Sequence, residues 1–72
     1  MIFLIEYDPK KGQLVALRPF QDSERQEAQN LRLNLEVELN RREITREVVI
    51  LEAATEQALR LTHRRYFEGL TE

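Results

Sequence analysis

Cysteine and tryptophan are missing from this chain, and its 72 residues include only two glycines, two prolines, one histidine and one serine. Without cysteine there is no disulfide and no thiolate-bound metal, so two of the usual staples of a small domain are excluded. The two glycines, Gly12 and Gly69, stand far apart, which leaves no glycine-rich loop to cradle a phosphate. The single histidine, His63, has Leu59, Arg60, Tyr66 and Phe67 as its helical neighbours, none of them a good metal ligand. The only serine, Ser23, reads as a helix cap, so a Ser-His-Asp triad has no nucleophile. These absences imply no catalytic residues, no metal site and no cofactor site, and the chain reads as a non-enzyme.

Charge of one sign is also lacking. Eleven basic residues against thirteen acidic ones give a net charge of −2. A dedicated nucleic-acid binder usually carries a strong basic excess, so nucleic acid is not the expected partner. No apolar stretch approaches the length needed to cross a bilayer. The apolar start at Ile2–Ile5 lacks a basic flank and is broken by Glu6 and Asp8, which suits a strand and not a signal segment. Together with the absence of cysteine, this sets a cytoplasmic location as the expectation. There is no linker, repeat or low-complexity tract, so residues 1–72 form one domain.

What the chain does have is apolar runs without alternation: Met1-Ile2-Phe3-Leu4-Ile5 and Val48-Val49-Ile50-Leu51. A strand with one wet face alternates, and one covered on both faces need not. A chain this short rarely builds three full layers, so one sheet face is expected to be covered by a second copy of the chain.

Residues 2–7 read as the first strand. Asp8-Pro9-Lys10-Lys11-Gly12 is a tight turn, with Pro presetting φ and Gly supplying a positive φ at the exit. Leu14–Leu17 continues the hairpin, and Pro19 stops it and marks an edge strand. Ser23 with Gln26 matches a capping box, opening a helix over residues 23–41. Residues 31–39 alternate strictly, which is a strand signature. Helix is nevertheless expected, because Leu, Glu, Arg and Gln dominate and no turn residue separates this segment from residues 24–29. Arg46–Ala53 reads as the third strand. Thr55 caps a second helix over 56–68, and Gly69 ends it.

The expected fold is therefore α+β, in the order β-β-α-β-α. Its three-stranded sheet has strand order 2-1-3, with two helices packed on one face. On the first helix, Ala28, Leu31, Leu35 and Leu39 make a core stripe, and Leu33 and Val37, with Ile44 beyond, make a second stripe nearly opposite. Leu33, Val37 and Ile44, with Phe3 and Ile5 on the open sheet face, form the candidate partner face. The expected function is a self-associating protein-interaction module, a homodimer first and a binder of another protein second.

The alternative is a small nucleic-acid-associated protein that uses Arg60, Arg64 and Arg65, aided by Arg41 and Arg42. Arginines bind phosphates, and the neighbouring Tyr66 and Phe67 can stack on bases. Glu6 and Glu52 adjoin apolar strands and are expected to be strand-end charges reaching solvent, the alternative being that the sheet brings them near each other or near an arginine.

Overall fold

A computed structural model of the chain describes residues 1–68. β1 (Ile2–Asp8) is the central strand, flanked by β2 (Gln13–Phe20) and β3 (Glu47–Glu52) in the order β2-β1-β3. Both pairings are antiparallel. α1 (Arg25–Arg41) follows β2, and α2 (Glu56–Thr62) follows β3. Short 3-10 turns at Asp22–Glu24 and Arg64–Tyr66 precede α1 and follow α2. This is the α+β order read from the sequence, with the same strand order.

The hairpin turn forms as its residues dictate. Asp8 Oδ1 accepts from the amides of Lys10 and Lys11 at 3.0 and 3.2 Å, and Gly12 takes φ +64°. The strand then runs through Pro19 to Phe20, further than expected. The reason lies in which backbone groups point where. The Met1 ammonium donates to the Ala53 carbonyl at 3.0 Å and the Ala53 amide donates to the Met1 carbonyl at 3.1 Å, so the two residues form a hydrogen-bonded pair. Alternation then gives Phe3, Ile5 and Tyr7 to β3, and Ile2, Leu4 and Glu6 to β2. Pro19 pairs with Phe3 and so points outward, where its missing N–H removes no ladder bond.

The two helices lie on opposite faces of the sheet, not on one. Leu4, Val48 and Ile50 pack with Leu31, Leu35 and Leu39 of α1. Phe3, Ile5 and Tyr7 pack with Leu59 of α2 and with Phe67. Continuous apolar strands do report two covered faces, but this chain covers both itself. A seven-residue helix and one 3-10 turn suffice, because among the described strands β1 alone is buried along nearly its whole length.

The alternating segment 31–39 is helical, as its composition argued. Ser23 lies inside the first 3-10 turn and does not cap α1. Glu24 closes that turn instead, accepting from the Gln21 amide at 2.7 Å. α1 ends in a Schellman motif: the Ile44 amide reaches the Leu39 carbonyl at 2.9 Å, and Glu43 takes φ +58°.

The second helix is shorter than the expected 56–68. The Thr55 hydroxyl caps it, accepting from the Ala58 amide at 3.1 Å. It stops at His63, whose φ of −126° and ψ of 55° are not helical. The break lets Leu59 and Phe67 enter one cluster, although a continuous helix would set them about 80° apart. Gly69, read as the helix stop, lies outside the described residues, as does Leu70.

Candidate functional site

The residues expected to form one partner face are divided by the fold. Phe3 and Ile5 are 1% and 0% exposed beneath α2, so the chain's own helix takes the place foreseen for a partner. Leu33 and Val37 are 58% and 59% exposed. At about 100° per residue they sit nearly opposite Leu35, pointing away from the sheet. Ile44 is the residue after the left-handed turn of the Schellman motif, where an apolar side chain commonly meets the last helical turn. Local capping accounts for it.

Two arginines of the C-terminal segment, Arg60 and Arg65, are also engaged. Arg60 bonds Glu56 through Nε at 3.1 Å and a terminal nitrogen at 2.8 Å, and its guanidinium lies 4.7 Å from the Phe67 ring centre. Arg65 forms a two-pronged pair with Glu47 at 2.7 and 2.9 Å. Its guanidinium sits 5.1 Å from both the Tyr7 and Tyr66 rings, which meet edge to face. Tyr66 O–H donates to the same carboxylate at 2.7 Å. The Arg65 bonds, followed by the Tyr66 bond, hold the Glu47 carboxyl at about 2 against the opposing effect of desolvation. Burial, with the bond to Glu47, pushes the Tyr66 phenol up. This cluster clamps the segment after α2 to the start of β3. Arg64 lines a shallow groove with Arg60, Leu61, Phe67 and Glu68.

Glu6 and Glu52 each meet an arginine and not each other. Arg46 bonds Glu6 and lies 3.9 Å from Asp8, and Arg25 bonds Glu52 across from α1. Glu6 stands opposite Val48 and Ile2 opposite Glu52, so the two carboxylates lie at opposite ends of the sheet. His63 spends its backbone amide on the Leu59 carbonyl at 2.9 Å. Among the described residues, no group of three or more His, Asp or Glu side chains is placed to hold a metal ion. No described helix is long and apolar enough to cross a membrane.

The feature the sequence reading passed over is the outer edge of β3. By the alternation set at Met1–Ala53, Glu47, Val49 and Leu51 bond to β1, and Val48, Ile50 and Glu52 turn their amides and carbonyls outward. No described strand pairs with that edge. Its four central residues, Val48-Val49-Ile50-Leu51, are all apolar, with no proline or lysine among them. The opposite edge of the sheet is guarded. There β2 carries Pro19 pointing outward, and a bulge where the register shifts between Glu6 and Tyr7. The signal was present in the sequence: Pro19 marks one edge, so order 2-1-3 makes the uninterrupted apolar strand the other. Comparison with protein-family models, curated proteins and solved structures returned no match.

Proposed function

We propose that this chain is a small cytoplasmic protein-interaction module that associates with itself first and has no catalysis of its own. The observation that carries this reading is the asymmetry between the two sheet edges. β2 is built to refuse another strand, and β3 offers an apolar, unpaired one. Natural sheets blunt an edge they must keep free, so an edge left open is one that is used. In the assembled form Leu33 and Val37 stay on the outer side of α1, where they offer an apolar contact to a further protein. The nucleic-acid reading has less support, because Arg60 and Arg65 are already neutralised by Glu56 and Glu47.

Thermal melting at increasing protein concentration tests the reading. A chain that associates in its folded state gains stability by mass action, so its Tm rises between about 2 µM and 200 µM. A Tm that does not move with concentration overturns the proposal.

A further inference from the structure

We infer that the partner on the β3 edge is a second copy of β3, paired antiparallel about a two-fold axis that passes through Val49. This rests on the self-association proposed above and specifies its geometry.

The two-fold must stand perpendicular to the sheet, because only that axis reverses the strand while extending the sheet sideways. It keeps each face on its own side, so residues directly opposite must share a face. Their numbers must therefore sum to an even value, and of the registers this allows, those centred on Val49 and on Ile50 pair the most of the Glu47–Glu52 strand. Both satisfy the outward groups of Val48, Ile50 and Glu52.

Charge separates the two registers. Centred on Val49, the pairing sets Val48 opposite Ile50 and Arg46 opposite Glu52, so at each end the Arg46–Glu6 pair of one copy meets the Arg25–Glu52 pair of the other and the two join into one network of alternating charge. Centred on Ile50, it sets Val48 opposite Glu52 and leaves Arg46 without an acidic residue opposite it. Both registers set a carboxylate against an apolar residue, Glu47 against Leu51 or Glu52 against Val48, so the approach of opposite charges at Arg46 and Glu52, which stabilises a ladder, decides between them.

The position of α1 permits this pairing. α1 packs on both β1 and β3, over the seam between them. With strands about 4.8 Å apart, that seam lies about 5 Å from the two-fold. Two α1 axes then run about 10 Å apart on the same face, at the upper end of the 8–10 Å range of packed helices. The two strands and the two helices come into contact together, giving a continuous six-stranded sheet.

The absence of cysteine makes the test direct, since a single introduced thiol has no competitor. In the Val49 register the two Val49 residues form a non-hydrogen-bonded pair with Cα atoms about 4.5 Å apart, within disulfide range. Val49→Cys, Ile50→Cys and Leu51→Cys are placed in a glutathione redox buffer and scored for covalent dimer, with circular dichroism confirming that each reduced form is folded. The expected result is that Val49→Cys crosslinks at least tenfold faster than either of the others. Preferential crosslinking of Ile50→Cys overturns the Val49 register. Equal, slow crosslinking of all three in a protein whose Tm still rises with concentration overturns edge pairing and leaves self-association standing. A Tm independent of concentration overturns both.

Discussion

Leu59 is the one buried side chain of α2, and replacing it with alanine tests whether the second helix seals the sheet. The side chain is 0% exposed and shares a cluster with Phe3, Ile5, Tyr7 and Phe67, three of them from β1. Buried Leu→Ala changes cost about 2–5 kcal/mol, the transfer of the lost methyl groups plus the cavity left behind. A domain of this size is stable by about 4–11 kcal/mol, so the variant gives up a large share of the total. With an unfolding entropy of about 2.1 cal/mol/K per residue, a loss of about 3 kcal/mol lowers Tm by about 20 °C. Leu61→Ala is the control: that side chain is 62% exposed, and its removal is expected to stay within about 0.5 kcal/mol. Urea unfolding followed by circular dichroism, at one protein concentration for both variants, reads the difference. If Leu59→Ala is no worse than Leu61→Ala, α2 does not cover the sheet, and Phe3 and Ile5 return as an open face.

The Glu47 carboxyl sits at about 2 in the folded chain and near 4.3 when unfolded, so its contribution is complete above about pH 4.3 and lost as pH falls towards 2. Because the pair is partly exposed, that contribution is about 1 kcal/mol, and Tyr66→Phe reduces it; acid titration of urea stability for both proteins is the check. Glu43 occupies the left-handed region at φ +58°, so Glu43→Gly should stabilise by about 0.5–1 kcal/mol in the same assay, and a loss of stability would contradict the cap geometry. Val37 is exposed on the side of α1 that points away from the sheet, so Val37→Asp should keep the parent's mass in solution, and dissociation of that variant would move the interface to the outer stripe of α1.

Much of the fold was legible in the residues. Asp8, Pro9 and Gly12 wrote the hairpin, Pro19 marked an edge, and Thr55 capped the second helix. The helical composition of residues 31–39 outweighed their alternation because only Leu31, Leu35 and Leu39 face the sheet and Leu33 and Val37 do not. The placement of the helices was not legible. Two-faced apolar strands say that both faces are covered, and they do not say by what. Size argued for a second copy, but one buried central strand needs little cover, and the segment holding Leu59 and Phe67 supplies it. The break at His63 was hidden because Leu59, Thr62, His63 and Tyr66 fit a continuous helix equally well. The pull of Phe67 into the core and of Tyr66 onto Glu47 is tertiary, and no local signal records it. As for the candidate site, its residues were in view as a strand, but its open side follows only from the strand order and the hydrogen-bond alternation together.

The most direct measurement is sedimentation equilibrium of the parent chain from low micromolar to millimolar concentration. The account predicts a reversible rise from the 8.6 kDa chain mass to twice that value, with no larger species, since a two-fold pairing of one edge closes on itself. A single 8.6 kDa species across the whole range would contradict it.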